Sequence, residues 1–238
     1  MNTYFIADLH LSENTPDLIQ SFRNFAKNLV PNDKLYILGD LFDYFVDLFP
    51  ENTSHIAIKE IVQDLASRNI ETFFILGNRD FLLTSKQASF FGFKLLNDIS
   101  IINIANQKIL LVHGDELCAE KFSYKFFRSF SRVRFFQKIF HLITSTKKKI
   151  NIAKNMRRNS QRRFKENHCR KVQINLPISL SLLHKYQATI LIHGHTHQVS
   201  EKHVNDYAIY DTGDWNHEKF SYIKVSELGT ISVHEEKI

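Results

Sequence analysis

Five short stretches carry side chains able to hold divalent cations. They are Asp8-Leu9-His10, Gly39-Asp40 with Asp43 close behind, Gly77-Asn78-Arg79-Asp80, His113-Gly114-Asp115 and His193-Gly194-His195-Thr196-His197. Singly each is weak: an Asp-x-His is commonly a hydrogen-bonded turn, and a Gly-Asp pair says almost nothing. Together they form an ordered set of oxygen and nitrogen donors. On a regular strand Asp8 and His10 would point the same way, so one ion could take both. The two oxygens of Asp40 could bridge two ions. Asn78 offers a neutral carbonyl oxygen, and His113, His195 and His197 offer imidazole nitrogen. The expectation is one site at Asp8, His10, Asp40 and His197, and a second at Asp40, Asn78, His113 and His195. A nitrogen and oxygen set without thiolate suits Mn²⁺, Fe or Zn²⁺ better than Ca²⁺. Two bridged ions about 3.5–4 Å apart form a device for hydrolysing phosphoesters.

These stretches close five apolar runs rich in β-branched and aromatic residues: TYFIADL, KLYILGDLF, TFFILGNRD, KILLVHGDE and ATILIHGHTH. Each reads as a buried strand with polar residues at its C-terminal end, where open α/β sheets place their sites. Apolar residues recur with helical period over Pro16–Asn28 and His55–Asn69, and Pro177–Lys185 reads as a short helix. From Asp206 to His234 the pattern alternates, which predicts antiparallel strands closing a second sheet.

The chain has 238 residues with 43% apolar and 24% charged, which excludes a wholly disordered protein. Two cysteines, Cys118 and Cys169, cannot make a disulfide scaffold, and a reduced compartment is expected. The first residues carry Asp8 and His10 where an export signal would be apolar, and no run is long enough to span a bilayer. The net charge of +6 is uneven. Residues 118–171 hold 17 Lys/Arg against Glu120 and Glu166, so this segment is +15 and the rest of the chain is −9. Within it Phe122, Phe126, Phe127, Phe130, Phe135, Phe136 and Phe140 recur every three or four residues. A basic amphipathic insertion over 119–171 follows. It is either a helical layer with a solvated face or a lid whose apolar side meets lipid and whose cations meet phosphate.

The order D-x-H, G-D, G-N-x-D, H-G-D, G-H-x-H resembles that of the calcineurin-like metallophosphoesterases. Within them DLH, ILGDLF, GNRDFLL, VHGDELC, RRNS and LIHGHTH are similar to the UDP-2,3-diacylglucosamine hydrolase family of lipid A biosynthesis, over essentially the whole chain. The resemblance implies an α/β fold: a β-sandwich flanked by helices, one domain over 1–238 with an inserted helical cap at 119–171. It implies Mn²⁺-dependent cleavage of a nucleotide-lipid pyrophosphate to UMP and 2,3-diacylglucosamine 1-phosphate, at the cytoplasmic face of the bacterial inner membrane. Asp8, His10, Asp40, Asn78, His113, His195 and His197 fall on the family's metal residues. Asn78 and Arg79 fall on its phosphate contacts. Ser160, after Arg157, falls on a cap position near the sugar. Lys121, Phe164 and Asn167 depart from the family's usual residues.

The expected reaction is in-line attack of a metal-bridging hydroxide on the uridine-linked phosphorus, with charge stabilised by Arg79 and His195. Many relatives have histidine at position 79. An arginine cannot usefully donate a proton at neutral pH, but it can grip phosphate in bidentate fashion. The competing role for Arg79 is bracing through Asp80 or Asp115. Those two acids are otherwise expected to orient ligand histidines or Arg79, with Asp43 a supporting group or a helix cap. His193 is read as structural or as a group supporting the ligands. Rival functions are cleavage of a soluble nucleotide diphosphate or phosphodiester, a nuclease drawn by the basic segment, and a non-catalytic membrane module. The phenylalanine spacing argues against nucleic acid, the complete donor set argues against a dead module, and no obligate protein partner is expected.

Overall fold

A computed structural model describes residues 1–49, 51–118, 143–145, 147–152, 155, 158 and 173–238. The expectations for the cap phenylalanines, Lys121, Arg157, Ser160, Phe164, Asn167 and Cys169 lie outside the described residues.

Two sheets face one another. The first has β1 (Asn2–Ile6), β2 (Lys34–Ile37), β3 (Glu71–Phe74) and β4 (Lys94–Leu95) in parallel, with β10 (Lys219–Ser226) and β11 (Ile231–Lys237) added antiparallel beside β1. The second runs β5 (Ile99–Ile104), β6 (Gln107–Val112), β7 (Ile190–His193), β9 (Tyr207–Thr212) and β8 (Val199–Val204). Side-chain alternation explains the layering. Phe5, Tyr36, Leu38, Ile109, Leu111, Ile190, Ile192, Ile223 and Val225 fill the space between the sheets. Their neighbours Ile6, Leu35 and Ile37 turn outward onto α1 (Pro16–Asn28), α2 (Thr53–Ser67) and α3 (Ser85–Phe91). Leu110, Val112 and Leu191 turn onto α4 (Leu176–Tyr186). Strands buried on both faces read as continuous apolar runs, which is why five of them are visible in the sequence.

The helix ends follow local chemistry. Pro16 starts α1, and Asn52 caps α2 by accepting from the His55 N–H at 2.9 Å. A Thr84–Gln87 capping box opens α3. One expectation is corrected. The C-terminal strands do not all close a second sheet: β9 joins it, but β10 and β11 pair onto the first beside β1. Alternation fixes a strand's buried face but not its partner. Among the described residues no helix is long and apolar enough to cross a membrane.

Candidate metal centre

The candidate residues gather where the strands end. Asp8 and His10 follow β1, Asp40 follows β2 and Asn78 follows β3, all from the first sheet; His113 follows β6, and His195 and His197 follow β7, from the second. Strand parity is not what aims them, contrary to the expectation for Asp8 and His10. Both lie beyond β1 in left-handed backbone, with φ of 56° and 49°. Asp40, His195 and His197 are also left-handed, at 53°, 72° and 60°. A side chain with a Cβ enters this region at a cost, and such residues gather at functional sites. The turns are held by cross-loop hydrogen bonds: Asp8 N–H to the Gly39 carbonyl at 3.1 Å and His10 N–H to the Asp40 carbonyl at 3.0 Å. From the other sheet, the Gly194 N–H reaches the His113 carbonyl at 2.8 Å.

Two groups of donors result, Asp8 with His10 and His197, and Asp8 with Asp40 and His113. Asp8 belongs to both groups, and Asp40, the expected bridging ligand, stands in the second. Asp8 is fully buried, and its Oδ1 lies 3.9 Å from His10 Nε2 and 3.6 Å from His197 Nε2. The rings of His10 and His197 stack at 5.1 Å. Asp40 Oδ1 stands 3.7 Å from His113 Nε2 and accepts the Arg79 N–H at 2.9 Å. Asn78 Oδ1 is 3.0 Å from both His113 Nε2 and His195 Nδ1. All seven expected ligands are therefore brought together.

The donors fit divalent cations. Asp8 Oδ1 and both ring nitrogens of His10 are buried without a hydrogen-bond partner, an expensive condition in the absence of an ion. His113 Nδ1 faces the Leu38 carbonyl at 2.7 Å and must donate to it. With the ring neutral, Nε2 then offers its lone pair to a cation, beside the oxygen of Asn78. Two ligand atoms each about 2.1 Å from an ion, and at right angles around it, stand about 3.0 Å apart, so the close approach of these acceptors matches a shared cation.

The surrounding groups only partly follow expectation. Asp80 does not orient a histidine or Arg79; its oxygens accept from the backbone of Gly77 at 2.6 Å and Leu41 at 3.0 Å, tying the loops after β3 and β2 together. Arg79 is paired, but with Asp43 (3.2 Å) and Asp40 (3.6 Å), and its guanidinium lies 5.1 Å from the Tyr44 ring. Asp43 is thus a partner of Arg79 and not a helix cap. His193 is buried with Nδ1 on the Gly194 carbonyl, and it belongs to neither donor group. The turn after β9 supports the site. Asp214 Oδ2 accepts from His197 Nδ1 at 3.3 Å, and the Trp215 N–H donates to the Asp8 carbonyl. The specific role of Asp214 had no spacing signal.

The chain is similar to known proteins along its length. The family model for calcineurin-like phosphoesterases matches residues 1–199. A UDP-2,3-diacylglucosamine hydrolase of Haemophilus influenzae is 33% identical over 229 residues, covering 96% of each chain. Those of Pectobacterium carotovorum and Neisseria gonorrhoeae are 36% and 31% identical over 231 and 237 residues, covering 95% of both chains and 99% and 98% respectively. The chain belongs to the UDP-2,3-diacylglucosamine hydrolase family of calcineurin-like phosphoesterases. An archaeal phosphodiesterase of solved structure shares the fold over 100% of both chains, at TM-score 0.50 and 12% identity.

This hydrolase-family centre makes two predictions. In the first, burial opposes charge on His113, but Asp40 and Asp8 outweigh it and raise its pKa to about 9. His197 reaches about 9 in the same way, against burial, through Asp8 and Asp214. An imidazole raised in the folded state stabilises fully below its unfolded value of about 6.5 and loses that contribution as pH climbs through 9. Burial also raises Asp8 and Asp80, which acts in the same sense. Burial lowers His10 and His195, which acts oppositely but below pH 6.5. In EDTA the melting temperature should therefore fall between pH 6.5 and 9. With Mn²⁺ the fall should shrink, because ligand imidazoles are neutral. Calorimetric scans at the two pH values check this.

The second prediction concerns Asp214. A carboxylate that fixes the outer nitrogen of a ligand histidine commonly contributes about 10–100-fold in metal affinity. Asp214→Asn should weaken Mn²⁺ binding by that order with the fold intact, measured by competition with a fluorescent chelator.

Proposed function

We propose that this chain cleaves the pyrophosphate bond of UDP-2,3-diacylglucosamine, releasing UMP and 2,3-diacylglucosamine 1-phosphate. It would work with two Mn²⁺ as a peripheral protein at the cytoplasmic face of the inner membrane. The observation that carries the reading is full-length similarity to hydrolases of that name, joined to a buried donor set with orphaned atoms. The assigned ligands are Asp8, His10, Asp40, Asn78, His113, His195 and His197. Bound there, the cations would bring water towards ionisation near neutral pH and offset charge on the phosphoryl oxygens.

The chain's own groups do the rest. Arg79, oriented by Asp43 and Asp40, holds a phosphate with its fork of N–H donors and transfers no proton. Asn78 and His195 contact the same phosphate, where a hydrogen bond that strengthens as charge develops lowers the barrier. Water oxygen joins the uridine-linked phosphorus, the bridging P–O bond breaks, and the lipid sugar departs as a phosphate monoester. Arg157 and Ser160 would meet the sugar from the basic segment, whose cations suit an anionic membrane surface.

The test is incubation with UDP-2,3-diacylglucosamine, detergent and Mn²⁺ in ¹⁸O-water. UMP carrying the label, with unlabelled sugar phosphate, is expected. Equal or faster cleavage of UDP-N-acetylglucosamine, with the lipid nucleotide untouched, would overturn the reading in favour of a soluble substrate.

A further inference from the structure

The loop that carries His195 and His197 is braced from beneath by a buried acid that belongs to neither donor group. In the second sheet β9 lies between β7 and β8, so residues 194–198 must cross the end of β9 to join their two strands. Asp211, opposite His193 in the β7–β9 register, stands under that crossing and is 1% exposed. Its Oδ2 accepts the Thr196 hydroxyl, and its Oδ1 accepts the Gly213 N–H at 3.0 Å. His193 Nδ1 lies 3.5 Å from the same Oδ2. A buried carboxylate persists where such donors replace water.

Thr196 sits between two expected ligands. His195 and His197 flank it in left-handed backbone, at φ 72° and 60°. Such conformations are costly for residues with a Cβ and persist only where the surroundings over-determine them. On one side of the loop the backbone is held towards the metal centre: the His195 N–H donates to Asp8 Oδ2 at 2.6 Å, and the Gly194 N–H to the His113 carbonyl at 2.8 Å. The Thr196–Asp211 bond holds the other side. The two histidines serve different neighbours. His197 stands with Asp8 and His10, whereas His195 Nδ1 is 3.0 Å from Asn78 Oδ1. A restraint on the residue between them therefore acts on both halves of the centre at once.

We propose that the Thr196 hydroxyl and the Asp211 carboxylate form a brace that fixes the spacing of His195 and His197, so that the two halves of the metal centre are organised together. Thr196 and Asp211 are positioning residues, acting on the cations through the loop. The brace needs a hydroxyl donor at 196 and an acceptor at 211. Serine satisfies the first requirement and valine does not.

The test is Mn²⁺ titration of the full chain by competition with a fluorescent chelator, below the melting temperature of every variant in EDTA. Thr196→Val should weaken binding about tenfold, the lower end of the range for groups that hold a ligand directly. Thr196→Ser should bind as the native protein does. The double variant Thr196→Val with Asp211→Val should bind no more weakly than Asp211→Val alone, because the second change removes a bond that the first has already broken. Native affinity in Thr196→Val, with only the melting temperature lowered, would overturn the brace. So would a loss that serine does not restore, or a double variant clearly weaker than Asp211→Val. Should Thr196→Val fail to fold, the comparison of the double variant with Asp211→Val decides. Metal binding is measured without substrate, so the outcome is independent of which phosphoester is cleaved.

Discussion

Asp40→Asn is expected to cut phosphodiester turnover on the order of 10³-fold while leaving a folded protein. That factor corresponds to about 4 kcal/mol of barrier, the scale of several kcal/mol that a metal ion supplies to a phosphoryl transition state. The effect is large because Asp40 makes three contacts at once, one with His113 and two with Arg79. It faces His113 Nε2 at 3.7 Å, accepts the Arg79 N–H at 2.9 Å and lies 3.6 Å from Arg79 Nε. Asparagine keeps the shape and tolerates the left-handed backbone that Asp40 adopts at φ 53°, which alanine would tolerate less well. What it removes is negative charge from a buried carboxylate that is 1% exposed. Bound Mn²⁺ per chain should fall together with rate, measured by elemental analysis after gel filtration. Near-native turnover with a full complement of metal would show that Asp40 is dispensable.

Gly77→Ala is expected to be the most damaging single methyl group in the molecule. A Cβ there would lie 2.2 Å from Asp40 Oδ1 and 2.4 Å from the Asp40 backbone nitrogen. Neither atom can retreat. The carboxylate is buried, and the loops after β2 and β3 are tied by Asp80 at 2.6 and 3.0 Å. Forced overpacking commonly costs about 1–3 kcal/mol, and this site is at or beyond the upper end because backbone must move. Displacement of Asp40 would also remove metal binding. Urea unfolding in EDTA reads the first effect and metal titration the second. An alanine variant of native stability and full metal content would mean that the two loops are looser than their contacts indicate.

Much of this centre was legible before any coordinates. The five apolar runs announced buried strands because both of their faces are covered, and each run ended on a donor. That pairing of period and chemistry singled out the seven residues that the structure gathers at the strand ends. Their geometry was legible only in outline. Asp8 and His10 converge through left-handed turns, and no spacing rule separates a turned loop from a continuing strand. Asp80 looked like an orienting acid but clamps backbone, a role set by depth below the site and invisible in a motif. β5, with its half-exposed ISIINI pattern, escaped notice because it ends on no chemically distinctive residue. β10 and β11 showed their alternation but not the sheet they would join.

The donors come from opposite halves of the sandwich: Asp8, His10, Asp40 and Asn78 from one, His113, His195 and His197 from the other. A cation held between them is a rivet through the seam, doing for this protein what a cross-link does in secreted domains. By mass action its contribution grows with the free ion concentration. Heat tolerance and catalytic competence should therefore rise and fall together with cellular divalent supply, and a cell short of the ion would hold an enzyme that is less heat-tolerant as well as less active.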